Sequence, residues 1–300
     1  MKRIICFALS LAMLLSCAML LSGCAAKDGG SGNSGAGISA AASLADLKGA
    51  KIAAQTGTFH ADALTQIEEV QSSTYPEFAD LLTALKSGAI DGYIAEEPTA
   101  LSVCLEDETL TYIALKNNDT GFTATDADVG IAVGCATGSE LVAQINEVIA
   151  SISEDTRAAL MEQMVKLSAG EEIDALALVS EAPASPAGVL RVGMECAYAP
   201  YNWTETEALT PGAVAISGEG KEGLYANGYD VQVAQYIANM LGMSLEIYAL
   251  EWDSLVPAVQ SGTVDAIIAG MSPTAEREEE IDFTDVYYES NLVVITRKDA

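Results

Sequence analysis

The pattern of apolar residues in the last third of the chain predicts a short helix followed by a short buried strand. Apolar side chains recur with helical spacing from Leu255 to Val259, and the run stops at Ser261-Gly262. Residues 265–269, Asp-Ala-Ile-Ile-Ala, then read as a buried strand that ends at Gly270. The chain here therefore follows the order helix, glycine stop, strand and loop.

The same order occurs earlier in the chain. Residues 81–100 align with residues 255–274 without gaps, and the alignment pairs Asp91 with Asp265. Ser-Gly and Asp before a buried strand are common in any α/β protein, but the number of coincident positions favours a true repeat. Because ligands in open α/β sheets bind beyond the carboxyl ends of the strands, the loops after both strands are predicted to face one cleft.

Length and composition agree with two such units. The chain has 300 residues, of which 50% are hydrophobic, and alternating strands and helices suit two α/β lobes. Its 43 acidic residues against 14 basic ones exclude nucleic acid as a partner, because phosphate binding needs a basic face. The acidic surface is interpreted as a source of solubility outside the cell, with attraction of cationic solutes as the alternative.

The residues after Gly270 are suited to bind an anion. Thr274 can cap a new helix, and Arg277 lies about one turn into it. A guanidinium fork matches the two oxygens of a carboxylate, and free amide hydrogens at a helix start favour negative charge. The simpler alternative is a capped helix with a surface arginine.

Three segments in the second half of the chain resemble one family, the extracellular solute-binding proteins of polar amino acid ABC transporters. They are residues 191–203 (RVGMECAYAPYNW), 228–242 (GYDVQVAQYIANMLG) and 282–298 (DFTDVYYESNLVVITRK). They resemble the first, larger lobe of that family, here called lobe 1. The resemblance extends from Leu190 to Lys298.

The first half of the chain resembles the second half of the same family. Residues 44–59 (LADLKGAKIAAQTGTF), 84–100 (ALKSGAIDGYIAEEPTA) and 128–149 (DVGIAVGCATGSELVAQINEVI) resemble the smaller lobe, here called lobe 2. The resemblance implies an α/β fold of the two-lobed, periplasmic-binding-protein-like type II, with a hinge of two crossing strands at Asn291–Arg297 and Asp128–Gly134. The two halves stand in reversed order, as in a circular permutant.

A truncated tandem protein is the alternative explanation of this order, with the first half as a remnant of one copy. Permutation is tolerated where chain ends are exposed and close together. The expected domains are a lipoprotein signal peptide (1–23), a flexible tether (24–43), lobe 2 with the C-terminal helices of lobe 1 (44–170), a linker (171–188) and the N-terminal part of lobe 1 ending in a hinge strand (189–300).

The resemblance also implies the site that would hold a free amino acid. The expected ligand-binding residues are Glu195, Tyr198, Tyr201, Trp252, Gly270, Met271, Ser272, Thr274 and Arg277 from lobe 1, with Gly57, Thr58, Phe59 and Glu96 from lobe 2. Arg277, Thr274 and the backbone near Ser272 are expected to bind the carboxylate, and the Thr58 and Phe59 amides to close over it.

The ammonium is expected at the Gly270 carbonyl, the Ser272 hydroxyl and Glu96. Family members commonly have an aspartate where this chain has Glu96, and Glu97 is the fallback. A solvated acidic pair is the alternative for both.

Aromatic rings are expected to wall the side-chain pocket. Tyr198, Tyr201 and Trp252 match positions at which the family stacks rings on the ligand, and Trp203 is expected to face the core instead. Glu195 matches a position where cation-binding members use an acid, which indicates a polar or cationic amino acid; an acid there could also bond a glutamine side chain or the backbone.

The start of the chain resembles a bacterial lipoprotein signal. Lys2 and Arg3 precede an apolar run from Ile4 to Leu21, and Leu-Ser-Gly-Cys24 resembles a lipobox with lipidation of Cys24. An ordinary secretory signal or a membrane anchor is the alternative. Of the other cysteines, Cys104, Cys135 and Cys196 are expected as buried thiols. His60, the one histidine, is interpreted as a surface or capping residue and not a metal ligand.

Together these features predict a lipid-anchored protein outside the cell membrane or in the periplasm, without a cofactor, that binds an amino acid and delivers it to the permease of an ABC importer. Capture would occur by hinge closure of the two lobes. The alternatives are a dehydratase-like enzyme on the same fold, with Glu195 or Glu96 as a general acid, a receptor sensor lobe, and a remnant without a complete site.

Overall fold

The computed structural model describes residues 37–208 and 210–300, which contain nine α-helices and three β-sheets. The predicted signal peptide, Cys24 and the first part of the predicted tether lie outside the described residues. Residues 38–40, at the end of that tether, form one turn of 3-10 helix, and the Ser39 N–H donates to the Ala300 carbonyl at 3.2 Å. None of the described helices is long and apolar enough to cross a membrane.

The helices are α1 (Phe59–Ala63), α2 (Phe78–Lys86), α3 (Glu97–Glu106), α4 (Asp126–Val129), α5 (Leu141–Ala150), α6 (Glu154–Ser168), α7 (Tyr229–Met240), α8 (Leu255–Gln260) and α9 (Ala275–Glu278). The strands are β1 (Ile52–Gln55), β2 (Ser73–Tyr75), β3 (Gly92–Glu96), β4 (Leu110–Ile113), β5 (Gly130–Ile131), β6 (Gly134–Cys135), β7 (Val189–Met194), β8 (Ala197–Tyr198), β9 (Asn202–Glu205), β10 (Val214–Ser217), β11 (Tyr225–Asn227), β12 (Ser244–Ala249), β13 (Ala266–Ile267), β14 (Asp282–Phe283), β15 (Tyr288–Glu289) and β16 (Leu292–Arg297).

Lobe 2 is built on a five-stranded sheet in the order β2-β1-β3-β16-β4. The strands β1, β2 and β3 are parallel, and β16 runs antiparallel to both of its neighbours. Five of the six residues of β16 are buried. An apolar run of this kind suits the middle of a sheet, where both faces are covered.

Lobe 1 is built on a nine-stranded sheet in the order β14-β6-β13-β7-β12-β10-β11-β9-β8. The strand β7 lies between β12 and β13 and is parallel to both. The helices α5 and α6 come from the first half of the chain and contact α7 in this lobe. Cys135 and Cys196 are buried free thiols as predicted, whereas Cys104 is half-buried.

Each half of the chain therefore contributes to both lobes. The two crossings between the lobes are β5 and β15, which pair antiparallel through Tyr288 with Ile131 and Glu289 with Gly130. The predicted crossing at Asp128–Gly134 contains β5. The other predicted crossing, Asn291–Arg297, is wrong in position, because Leu292–Arg297 is the buried strand β16 of lobe 2 and the crossing lies just before it.

The internal repeat is present in the structure as two equivalent helix-strand units. The Asp91 carboxylate accepts the Lys51 backbone N–H at 2.9 Å, and the Asp265 carboxylate accepts the Arg191 backbone N–H at the same distance. The backbone N–H of Asp91 donates in turn to the Lys51 carbonyl at 2.8 Å, and that of Asp265 donates to the Arg191 carbonyl at the same distance. The repeated aspartate thus fixes the start of one strand against its neighbour.

The glycines that end the two repeat helices give a first testable prediction. Gly88 and Gly262 have φ of 76° and 75°, and no atom lies within 4 Å of a Cβ built on either. Gly88→Ala and Gly262→Ala are each expected to lower the free energy of unfolding by ~1 kcal/mol, because only the left-handed backbone is penalised. Urea unfolding measures the change. Gly188→Ala is the matched control, since a Cβ there would meet only the Met243 methyl group at 3.5 Å; an equal loss in all three variants would contradict the explanation.

Candidate functional site

A small cavity lies between the two lobes at the loops that follow β1, β3 and β13. It encloses about 20 Å³. The residues that line it are Gln55, Thr58, Phe59, His60, Phe78 and Glu96 from lobe 2 and Tyr198, Trp252, Gly270, Ser272 and Arg277 from lobe 1. The prediction that the loops after the two repeat strands face one cleft is therefore confirmed by Glu96 and Gly270.

The remaining predicted site residues lie next to this cavity. Gly57, Met271 and Thr274 line a larger groove of about 430 Å³ that shares Arg277 and Trp252 with it. Glu195 contacts Gln55, and Tyr201 stacks on Tyr198. The structure thus brings all the predicted positions together, and their role toward a ligand is taken up below.

Arg277 spans the cleft between the lobes. Its guanidinium donates to the Ser272 carbonyl of its own lobe at 2.9 Å and to the Gly57 carbonyl of the opposite lobe at 3.1 Å. It lies 5.2 Å from the centre of the Trp252 ring, whose Nε1–H also donates to Gly57. Burial lowers the pKa of Arg277. The half-buried guanidinium is thus held by groups of both lobes.

The loop that carries Arg277 is short and is shaped by Gly270. Gly270 has φ of 63°, and a Cβ there would lie 3.4 Å from the Tyr198 ring. Thr274 occupies the N-cap position of the one-turn helix α9, but its side chain makes no cap hydrogen bond, contrary to the prediction. The position of Arg277 thus depends on the glycine turn and on its own contacts with Ser272 and Gly57.

Asp230 supports this loop from behind, and the sequence analysis did not single it out. The side chain is fully buried and accepts hydrogen bonds from the Tyr287 hydroxyl at 2.7 Å and the Asn202 amide at 2.8 Å. The nearby Gly270 backbone also acts on the carboxyl group and lowers its pKa. Burial raises the pKa of Asp230 to about 7, against the opposing effect of its donors. In the sequence, the signal for a buried polar role of Asp230 is an acidic residue within the apolar run of α7.

Glu96 and His60 form a buried pair on the lobe 2 side of the cavity. The Glu96 Oε1 lies 3.0 Å from the His60 Nε2, and both side chains are 8% exposed. The interpretation of His60 as a surface or capping residue is therefore wrong, because α1 presents it to the end of β3. Glu97, the alternative to Glu96, does not line the cavity; its carboxylate accepts from the Asn291 side-chain amide at 3.5 Å.

Aromatic rings fill the space beside the cavity. The Phe78 ring of lobe 2 stacks on the Tyr198 ring of lobe 1 with centroids 4.0 Å apart, and Tyr198 stacks on Tyr201 at 5.0 Å. Tyr201 is fully buried, whereas Trp203 is half-buried and packs against the core. The strand β9, in which side chains alternate between the two faces of the sheet, begins only at Asn202. Tyr201 precedes the strand, and its ring packs against that of Tyr198.

Glu195 and Gln55 connect the lobes at another wall of the cleft. The Gln55 amide donates to the Glu195 carboxyl at 2.8 Å and to the Pro76 carbonyl at 3.0 Å. Burial raises the pKa of Glu195 to about 7, although the bond from Gln55 acts in the opposite direction. The next residue, Cys196, has a φ of 56°. Its backbone N–H donates to the side-chain amide oxygen of Asn202 at 2.7 Å. Sequence reasoning missed Gln55 and Phe78, because neither lies in a loop after a repeat strand.

Several buried polar atoms at the cleft have no hydrogen-bond partner. Five such side-chain atoms occur in the described part of the chain, namely His60 Nδ1, Glu96 Oε2, Arg157 Nε, Tyr198 Oη and Tyr201 Oη. Four of the five belong to the cavity or to the ring stacked on its wall. Because buried polar groups are ordinarily paired, these atoms are open to a further polar partner.

Comparison with known proteins finds similarity in the last third of the chain. Residues 190–300 match the family model of the bacterial extracellular solute-binding proteins, family 3. The chain is 39% identical to the arginine-binding extracellular protein ArtP of Bacillus subtilis over 27% of this chain and 32% of the relative. It is 32% identical to the L-cystine-binding protein TcyA of the same organism over 37% of this chain and 36% of the relative. The chain thus spans about a third of the length of these curated relatives.

Solved structures give matches of similar extent. The substrate binding protein of an amino acid ABC transporter is 36% identical over 33% of this chain and 39% of its own, with a TM-score of 0.27.

Proposed function

Residues 190–300 belong to family 3 of the bacterial extracellular solute-binding proteins, and on that premise we propose that the chain binds a free amino acid between its two lobes. The observation that carries the proposal is the position of Arg277. Its guanidinium lies in the interlobe cavity, opposite the buried acid Glu96. A cation and an anion on facing walls complement the two charges of a zwitterion.

The carboxylate is assigned to Arg277 and the loop around it. The guanidinium now donates to the Gly57 carbonyl across the cleft, and a ligand carboxylate would take over that partner role. The Thr58 and Phe59 amides of lobe 2 are close to the same point, because both residues line the cavity. The remaining residues of the predicted site serve as walls, with Gly270 allowing close approach of the ligand.

The cavity requires the lobes to separate before a ligand can enter. Its 20 Å³ admit about one water-sized group, so a whole amino acid does not fit. Separation would break the few polar contacts between the lobes, such as Gln55 to Glu195 and Arg277 to Gly57, and withdraw Phe78 from Tyr198. Rotation at the β5 and β15 crossing would then close the lobes over the ligand.

We assign the ligand to the cationic or polar amino acids. Glu195 contacts Gln55 in the wall of the cavity, and the acids Glu77, Glu251 and Asp253 act on the carboxyl group of Glu195. A cationic side chain would replace the Gln55 amide at Glu195 and favour ionisation of its carboxyl group. The relatives named above bind arginine and cystine, and they are binding proteins; we propose binding without catalysis.

The role in transport follows from the same family. We propose that the closed form delivers the amino acid to the permease of an ABC importer at the outer face of the cell membrane or in the periplasm. Residues 1–23 would serve as the signal and Cys24 as the lipid attachment site. We also propose that the order of the halves is that of a circular permutant, since one chain supplies both walls of the cleft.

Titration calorimetry with the purified chain tests the proposal directly. Saturable binding of L-arginine or L-lysine is expected, with L-glutamine, L-histidine and L-cystine as the polar comparison and L-leucine as the negative control. A chain that is folded by circular dichroism but binds none of these amino acids would overturn the proposal.

Glu195→Gln tests the choice of ligand. The variant is expected to lower the affinity for L-arginine by about tenfold while changing that for L-glutamine less, because it removes the acid but keeps the shape. Since the pKa of Glu195 is about 7 without ligand, binding of a cation near pH 7 should release a proton from it. Calorimetry of the parent chain in two buffers of different ionisation enthalpy measures this release, and Glu195→Gln should abolish it. Equal losses for both ligands would count against a side-chain contact at Glu195.

A further inference from the structure

His60 offers a second acceptor beside Glu96 at the site assigned to the ligand's ammonium group. Its Nδ1 and the Glu96 Oε2 are both buried without a hydrogen-bond partner, and both side chains line the same cavity. Buried atoms of this kind are costly unless a partner arrives. The two atoms therefore point to a donor-rich group that the pair is built to receive.

The contact within the pair decides which of its atoms remain open to a ligand. A carboxylate only accepts hydrogen bonds, and the 3.0 Å distance between His60 Nε2 and Glu96 Oε1 allows the imidazole to donate to it. A neutral imidazole that donates from Nε2 carries a lone pair on Nδ1. In that form His60 holds Glu96 in place and is itself an acceptor.

Ser272 supplies a third acceptor on the opposite wall. Its hydroxyl hydrogen is donated to the Asp128 carbonyl at 2.9 Å, so the lone pairs of its oxygen remain available. Ser272 lines the cavity together with His60 and Glu96. Three acceptors match the three N–H donors of one ammonium group, and a cavity of about 20 Å³ has the size of such a group.

We propose that His60 is an ammonium-binding and positioning residue of the amino acid site, with its Nδ1 accepting from the ligand's α-ammonium while its Nε2–H orients Glu96. This inference rests on the proposed function. It assigns the α-ammonium to an imidazole-carboxylate pair and not to a carboxylate alone. The pair therefore selects ligands that carry an α-amine.

Ligands with and without the α-amine test this role. L-Arginine is compared with 5-guanidinopentanoate, and L-lysine with 6-aminohexanoate, by calorimetry on the parent chain, His60→Ala and His60→Gln. His60→Ala is expected to weaken the α-amino ligand about tenfold and to leave the des-amino analogue within about twofold. His60→Gln is expected to restore most of the difference, because its amide can donate to Glu96 and its carbonyl oxygen can accept.

A merely structural histidine would give a different result. His60→Ala would then weaken both members of each ligand pair by the same factor, or neither, and either outcome overturns the proposal. His60→Leu, which keeps the buried volume but has no acceptor, replaces His60→Ala if thermal unfolding shows that the alanine variant does not fold. A parent chain that binds neither L-arginine nor L-lysine refutes the proposed function itself, whereas a parent chain that binds with an unchanged preference in the variants refutes only the role of His60.

Discussion

Arg277→Ala is expected to weaken amino acid binding by about 100-fold or more, equivalent to ~3 kcal/mol. The guanidinium is the cation that the cavity offers to a carboxylate, and it is held by the Ser272 and Gly57 carbonyls and the Trp252 ring. Its removal would leave the ligand carboxylate buried without a charged partner. Titration calorimetry with L-arginine and L-lysine measures the loss.

Two further variants separate charge from geometry. Arg277→Lys keeps the positive charge but loses the planar fork, and we expect an affinity between those of the parent chain and Arg277→Ala. Lys48→Ala is the control for a lost positive charge, because Lys48 forms exposed ion pairs with Glu68 and Glu69. Unchanged affinity in a folded Arg277→Ala variant would refute the carboxylate assignment.

Asp230→Ala is expected to lower the free energy of unfolding by about 3–5 kcal/mol. The carboxyl group accepts from the Tyr287 hydroxyl and the Asn202 amide, and alanine would leave both buried donors unpaired. Asp230 also lies close to the Gly270 backbone, so amino acid affinity should fall as well. Urea unfolding gives the first quantity and calorimetry the second.

The pH dependence of stability provides an independent check on Asp230. Its pKa is about 7 in the folded chain against an ordinary value of 3.8, so the folded state binds more protons than the unfolded state between these values. The contribution of Asp230 to stability therefore falls as the pH rises from about 4 to about 7. Asp230→Ala should reduce this slope but not abolish it, because the raised pKa of Glu195 acts in the same direction. The exposed control Asp119→Ala should keep both the stability and the slope; an unchanged slope in Asp230→Ala would contradict the assignment.

The local elements could be predicted because their signals lie within a few residues of one another. The unit of α8, Ser261-Gly262 and β13 was found from helical spacing, a glycine stop and an apolar run. The equivalent unit of α2 and β3 followed from the alignment of the two halves. The loops beyond these strands could then be assigned to one cleft, as Glu96 and Gly270 confirm.

Contacts between distant parts of the chain could not be predicted in the same way. His60 looked like a helix-surface residue, and only the end of β3 packed against α1 makes it the partner of Glu96. Phe78 is an ordinary core residue of α2 by its pattern, but the approach of the lobes places it on Tyr198. Neither contact leaves a trace in local spacing.

The sequence by itself determined the α/β character and the repeated unit, because periodicity and glycine stops are local properties. The residues expected around the cleft came from the resemblance to a known family. Only the tertiary structure decided that β16 belongs to lobe 2, that Tyr201 is buried more deeply than Trp203, and that Asp230 pairs with Tyr287 and Asn202. Those outcomes depend on which buried surfaces and hydrogen-bond donors meet when distant segments pack. Such pairings are fixed by the free energy of the whole fold and not by any one stretch of the chain.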